Sequence, residues 1–346
     1  MKTKMTACFI VLFFMGMCLF AGGAQDTKAA STPPAGPNAG KTLVYIPKAM
    51  QSQFWIAIWD GAKKAAAELG YKEVKFQGTS NSSDITGQIN IVSDVAASRP
   101  AGFIVAVNDT VALKAPIEKA IDSGVPVVTV NAGIDSSKVL IHVATDNFNA
   151  GAMGADTLAK LIGEKGTIIF LGIDATSQTG RERETGFRDQ MKKYPNIKIL
   201  PTQYSEGNIS KAMNVTNDLL TGNPDVVGLF AAQDNGGTGA AQAVKQRNLK
   251  NKIKVVAFDS SPDEFQLFLD GFMDALVVQD PFMQGYLGII SLDKVINKKP
   301  IDKKFVETMV KIVTRDNISN PDVYELMARN PTIKDVMTAK GISPKK

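Results

Sequence analysis

The residues with the most chemistry to offer stand where an apolar strand gives way to a helix. In IPKAMQSQFWIAIWDGAKKAAAELG, Ile46 to Gly70, a strand end and a short polar loop lead into a helix with Phe54 and Trp55 in its first turn. In open α/β sheets the crevice beyond the carboxyl ends of the strands is the ligand site, so a helix that starts there faces it. Two aromatic faces suit the flat C–H face of a saturated ring whose hydroxyls point sideways to polar groups. Trp55 has a second reading, since Trp55, Ile58, Trp59, Ala62, Ala66 and Leu69 also make a helical core stripe. Phe54 lies off that stripe, and Trp59 reads as core.

Polar partners for such a ring stand at other strand exits. Arg181 opens GRERETGF (180–187), and its planar guanidinium can grip two neighbouring hydroxyls. The other reading of that segment is a solvated helix start laced by charge pairs one turn apart, and Glu182, Arg183 and Glu184 take that role here. Phe258 and Asp259 close the strand IKVVAFD (253–259). A carboxylate at that point can accept from two hydroxyls through charge-assisted bonds, or it can cap the next helix, a task open also to Ser260 and Ser261.

The elements that must hold these residues alternate along the chain. Strand patterns fall at 42–47, 73–78, 101–107, 125–130 and 139–145, with helical spacing over 53–69, about 84–98 and 111–123. The pattern restarts with strands at 166–172, 197–203, 226–232, 253–259 and 274–280 and helices over 181–194, 208–221, 237–248 and 262–270. Residues 281–297 have helical spacing, 305–314 are strand-like, and the tail from Asn317 has no assigned place. Buried strands alternating with helices predict parallel sheets with right-handed crossovers. The halves echo each other, AGFIVAVNDT beside VVGLFAAQDN and VPVVTVNAG beside IKVVAFDSS. The expectation is an α/β protein of two similar Rossmann-like lobes with mostly parallel sheets, a ligand cleft between them and a hinge of three crossings near Thr145, Asp280 and Lys311. The amino-terminal lobe is expected to hold 41–145 with 280–310, and the carboxyl-terminal lobe 146–279 with 311–346.

Composition narrows the classes. The chain has 346 residues, 44% hydrophobic and 21% charged, enough for two cored domains. Residues 1–24 read as a secretory signal, with Lys2 and Lys4, an uncharged apolar run and a small-residue exit AGGA. A competing reading makes Cys18 the lipid-modified first residue of a lipoprotein. Both cysteines, Cys8 and Cys18, lie in this segment, so a chain cut after Ala24 has no disulfide, zinc-thiolate site or cysteine nucleophile. Such a chain carries 37 basic residues against 34 acidic ones, a balance of about +3 that speaks against a nucleic-acid partner. Residues 25–40, rich in Ala, Pro, Gly, Ser and Thr, read as a disordered tether.

Six segments, Gln53 to Gly70, IHVATDN (141–147), GRERETGF, FAAQDNGGTGA (230–240), VVAFDSSPDE (255–264) and VVQDPFMQG (277–285), resemble in one order the sugar-binding type I periplasmic binding proteins, the ribose-binding group in particular. The resemblance runs from about Thr42 to Thr314 and implies a monomeric, exported receptor that passes a monosaccharide or polyol to the membrane permease of an ABC importer, without cofactor or metal. It matches Phe54 and Trp55 to ring-stacking aromatics, Arg181 to the arginine opening the second lobe's first helix, Gln279 to a hinge-side amide that reaches the ligand, and Gln233 to an asparagine that reads hydroxyls, with Asp234 structural. The first lobe departs from the pattern. Asn131 and Ala132 replace an acidic and arginine pair, Ala106 stands where the group has an asparagine that Asn108 or Asp109 can replace, and Lys48 takes the place of a small hydroxyl residue, which puts ribose itself in doubt.

Other functions find less support. The one histidine, His142, lies mid-strand and reads as structural, and no histidine pair, phosphate loop or nucleophile elbow appears. A glycosidase would need two facing carboxylates, for which Asp259 and Asp109 are the candidates. A sugar-responsive repressor needs a DNA-binding helix pair where the secretion signal stands. A receptor for a furanosyl quorum signal, or a sugar sensor for chemotaxis, keeps the fold and changes the ligand or the output.

Overall fold

The computed structural model describes residues 36–345, so the secretory signal, Cys18 and most of the tether lie outside it. The chain begins with β1 (Thr42–Ile46), α1 (Gln53–Glu68), β2 (Glu73–Phe76), α2 (Ile85–Ala97), β3 (Gly102–Val105), α3 (Lys114–Asp122), β4 (Val127–Val130) and β5 (His142–Thr145). It continues through α4 (Asn147–Leu161), β6 (Gly166–Gly172), α5 (Gln178–Met191), β7 (Ile197–Ile199), β8 (Gln203–Tyr204), α6 (Ile209–Gly222), β9 (Val226–Ala231), α7 (Asp234–Gln246), β10 (Lys254–Phe258), α8 (Pro262–Leu269) and β11 (Ala275–Gln279). It ends with α9 (Pro281–Ile296), β12 (Phe305–Thr308), β13 (Val310–Thr314), α10 (Pro321–Ala328) and α11 (Pro331–Ala339).

Two sheets result. One has six strands in the order β12-β5-β4-β3-β1-β2, and the other runs β13-β11-β10-β9-β6-β7, with β8 beside β6. All pairings are parallel except β11 with β13. The orders match strand for strand, so the lobes are copies of one plan. Each sheet is apolar on both faces, as parallel strands covered by helices must be. Val44, Ile46, Phe103 and Val105 pack beneath α2 and α3, whereas Leu43, Tyr45, Ile104 and Val130 pack beneath α1 and α9.

Helix crossings at the lobe centres are unusually close. A Cβ on Gly61 of α1 would lie 1.8 Å from Phe282 O, and one on Gly285 of α9 would lie 1.8 Å from Ile58 O. The other lobe repeats this, with Gly151 of α4 2.1 Å from Arg183 O and Gly186 of α5 1.9 Å from Phe148 O. Only residues without a Cβ let these backbones meet. The caps repeat too: Ser52 and Ser177 cap α1 and α5, and Asp146 and Asp280 cap α4 and α9.

Several sequence expectations need correction. The tether does not extend to residue 40, because Asn38 is buried and its Nδ2 donates to Leu69 O at 2.9 Å and to Asp293 Oδ1 at 3.1 Å. The strand-like stretch 305–314 divides in two: β12 pairs with β5 and β13 with β11, so the chain passes between the sheets at Met309. The strand expected over 197–203 breaks where Pro201 removes a donor. Helix α4 adds to the expected elements, and the tail forms α10 and α11, whose Val323, Leu326, Met327, Ile333 and Met337 close the carboxyl-terminal core.

Candidate functional site

The carboxyl ends of both sheets point to one junction. From the amino-terminal lobe come Lys48 after β1, Phe54 and Trp55 at the start of α1, Asn108 after β3 and Asn131 after β4. From the other lobe come Asp174 after β6, Gln233 after β9 and Asp259 after β10. That the two ends face each other is felt by Lys48. Its ammonium, in low-dielectric surroundings although part of the side chain meets solvent, is pushed down to about 8 by burial, Asp174 pulling it up and Arg183 pushing it further down. A separate surface hollow of about 390 Å³ lies beside Met50, Phe76, Ile91 and Asp94.

The arginine turned inward is Arg183. It is 3% exposed, Nε donates to Asn147 Oδ1 at 3.0 Å, one N–H of the guanidinium donates to Ala232 O at 2.7 Å, and Cζ lies 3.5 Å from the centre of the Phe258 ring. Burial pulls its charge down, and Asp259, Glu182 and Asp234 oppose that. The solvated role read for Arg183 is therefore corrected. Arg181, read as the gripping residue, is exposed, and one nitrogen of its guanidinium donates to the carbonyls of Ala175 and Thr176. The reason is phase: α5 starts at Gln178, and residues two apart on a helix point about 200° apart. A signal was present, since Arg183 precedes the core residues Phe187 and Met191 by one and two turns.

The remaining candidates divide. Phe54 and Trp55 are half-buried and pack edge to face, with ring centres 4.9 Å apart. Trp59 is core, stacked on Phe76 at 5.0 Å. Both side-chain polar atoms of Asn108 are buried without a protein partner, while its backbone N–H donates to Gln88 Oε1 at 2.7 Å. Gln88, which sequence reasoning missed, ties the two strand exits by donating to Pro47 O at 3.0 Å and to Ala106 O at 2.8 Å. Phe258 is fully buried beneath Arg183, so its ring is a platform for the guanidinium and not a face open to a ligand. Gln233 is half-buried ahead of α7, its Nε2 3.5 Å from Ser205 Oγ.

Asp259 and Gln279 form the acid end of the site. Asp259 stands at φ 79°, in the left-handed region, and it accepts from Gln279 Nε2 at 2.6 Å. Burial raises its pKa, with Arg183 and Gln279 opposing. Among the described residues no ion pair closes between Asp259 and Arg183. Asp234, read as structural, sits among these charges and is pushed up to about 6, by burial first and then by Asp259. Glu264 lies fully buried below, held well above the usual carboxylate range by burial and by both aspartates. His142 bonds Thr129 Oγ1 at 2.9 Å, and burial lowers it to about 4, a neutral structural histidine.

Two matched α/β lobes whose polar strand ends meet at one junction define a two-lobed solute-binding protein. The chain belongs to the periplasmic binding protein domain family, whose model matches residues 43–300. It is 29% identical over 298 residues to the ribose import binding protein of Escherichia coli K12, covering 84% of this chain and 99% of that one. It is 27% identical over 276 residues to the D-allose-binding periplasmic protein of the same organism, covering 77% and 88%. Among solved structures, an ABC transporter solute-binding protein from Agrobacterium vitis bound with α-D-tagatopyranose is similar at TM-score 0.78 and 30% identity, covering 83% of this chain and 98% of that one. A carbohydrate transporter solute-binding protein from Agrobacterium radiobacter in complex with D-arabinose is similar at TM-score 0.78 and 32% identity, with the same coverage.

Proposed function

We propose that the protein is the extracytoplasmic receptor of an ABC importer and captures a monosaccharide or related polyol by closing its two lobes around it. The observation that carries this reading is Arg183, held flat on Phe258 and pinned by Asn147 and Ala232, with Asp259 close enough to act on its charge but not bonded to it. A guanidinium has five N–H groups, and here only Nε and one other are spent. The unspent donors and the Asp259 carboxylate make a donor-acceptor pair matched to neighbouring sugar hydroxyls, with no nucleophile or general base required.

In this reading Phe54 and Trp55 stack on the ring, and Lys48, Asn108, Asn131 and Gln233 take further hydroxyls. The buried, unpartnered amide of Asn108 costs about 1–3 kcal/mol until something bonds it, and a hydroxylated ligand does so. Closure makes the contacts of both lobes simultaneous, so the ligand stabilises the closed form by its differential affinity. One chain supplies every group, which supports a monomer. The family and the apolar leader support export to the periplasm, where the partner is a membrane permease.

The test is a thermal-shift screen with D-ribose, D-allose, D-arabinose, D-tagatose and their polyols. A specific sugar at ~100 times its Kd adds about 2.7 kcal/mol of stability. Arg183→Met is expected to erase that shift, and Phe54→Ala to weaken binding by about 1 kcal/mol. A flat response to every sugar sinks the reading.

A further inference from the structure

The side chains that join the lobes at the hinge form a line of hydrogen bonds with one direction. At its end stands the Asp259 carboxylate, which when ionised can only accept. Gln279 must therefore offer it an N–H, and Nε2 donates to Asp259 Oδ1 at 2.6 Å. That turns Gln279 Oε1 the other way, to accept from Thr145 Oγ1 at 2.9 Å and from Gln284 Nε2 at 3.1 Å. Gln284 Nε2 also donates to Thr145 Oγ1 at 3.1 Å. With its N–H groups committed on that side, Gln284 presents Oε1 on the other, and Asn131 Nδ2 donates to it at 3.3 Å. Asn131 is left with Oδ1 and the second N–H of Nδ2, neither of which has a protein partner among the described residues.

An amide has nearly the same shape either way round, so the chemistry of its partners selects its orientation. These three amides are all buried, at 8% exposure for Asn131, 3% for Gln279 and none for Gln284, so water does not relieve a wrong choice. The line also spans the moving parts. Asn131 and Gln284 belong to the amino-terminal lobe, Thr145 and Gln279 end the strands that cross between lobes, and Asp259 belongs to the carboxyl-terminal lobe.

We propose that Gln284 is a positioning residue for ligand capture: with Gln279 it carries the polarity of the Asp259 carboxylate across the hinge, so that the amide of Asn131 is held in one orientation and its Oδ1 is offered to the ligand as a fixed acceptor. The ligand feature selected is a hydroxyl that donates to Asn131 while another donates to Asp259. A ligand with a carboxylate or carbonyl oxygen placed against Asn131 Oδ1 meets acceptor against acceptor and is disfavoured there. This deepens the sugar-receptor reading and rests on it for the ligand, although the orientation of the amides does not. The charges facing Asp259 are Arg183 from α5, Asp234 from α7 and Glu264 from α8.

The first test uses unliganded wild-type protein. The Asp259 carboxyl carbon is titrated by NMR from about pH 4 to about pH 8 while the side-chain amide signals of Gln279, Gln284 and Asn131 are followed. All three are expected to move with the Asp259 midpoint, and stationary Gln284 and Asn131 signals overturn the proposal. The second test measures affinity for the tightest-binding sugar of the panel above. Gln284→Met is expected to lower it about tenfold, the value of one well-made hydrogen bond. Adding Asn131→Asp is expected to restore most of the loss, because a carboxylate shows an acceptor whichever way it turns. Gln284→Met binding within about twofold of wild type, or no recovery in the double variant, overturns the proposal. A protein that bound no sugar would sink the sugar reading and leave the titration to decide the relay.

Discussion

Helix α1 in one lobe and α5 in the other hold equivalent places. Each follows the first strand of its lobe, starts from a capping serine, Ser52 or Ser177, and is crossed through a glycine, Gly61 or Gly186, by the helix that enters from the opposite lobe. Six residues beyond the cap the chains part. The amino-terminal lobe has Ile58, fully buried in a core with Ala62, Ile104 and Ile289, and the carboxyl-terminal lobe has Arg183, 3% exposed. A buried guanidinium is costly unless its bonds are made, and here Asn147, Ala232, the Phe258 ring and the field of Asp259 offset that cost. The backbone plan thus fixes where a side chain reaches the junction, and the few residues around it decide whether a charge can live there. One wall of the site is aromatic and amide, with Lys48 its cation, and the other is built on buried charges.

Exchanging the differing residue is the severest test of this equivalence. Ile58→Arg puts a guanidinium where no acceptors wait, and urea unfolding should show a loss of about 4 kcal/mol or more, or no folded protein. A variant of wild-type stability would mean that the two places are not equivalent. The shared feature predicts a shared cost: Gly61→Ala and Gly186→Ala drive a Cβ to 1.8 Å and 1.9 Å from a backbone carbonyl oxygen, so each should lose about 1–3 kcal/mol. Losses that differ by much more than about 1 kcal/mol would show one crossing to be looser.

Smaller effects sharpen the charged side of the comparison. Asp234 is held at about 6 when folded against an ordinary value of 3.8, so the folded state binds the proton more tightly. Its contribution to stability is complete below the ordinary value and is lost as pH rises through about 6. Subtracting unfolding free energies of Asp234→Asn from wild type across that window should give a difference that falls with rising pH, and a flat difference would remove Asp234 from the buried cluster. The smallest effect is expected for Arg181→Ala, with sugar affinity within about twofold and stability within about 0.5 kcal/mol of wild type. A tenfold loss of affinity would restore Arg181 to the site.

Much of the fold was legible because alternating strand and helix patterns are local. The duplication, most of the strands and the polar strand exits could all be read in this way. Helix α4 escaped because NFNAGAMGADTLAKL is rich in Ala and Gly and shows few large apolar residues at helical spacing. Those small residues are what its packing needs, since a Cβ on Gly151 would sit 2.1 Å from Arg183 O of α5 and one on Gly154 2.2 Å from the Phe230 ring of β9. Of the candidate site, the placement of Lys48, Asn108, Asn131 and Asp259 was legible, because it follows from where strands end.

By itself the sequence determined a repeated α/β plan, its helix caps and the set of polar residues that the strand ends could deliver, because these depend on neighbours along the chain. Which arginine of GRERETGF turns inward depended on where α5 begins, and a shift of two residues rotates the face by more than half a turn. The direction of the hinge amides was settled by tertiary structure alone. Asn131, Thr145, Asp259, Gln279 and Gln284 become neighbours only when the lobes meet, and an amide acquires an orientation only from the partners it finds there.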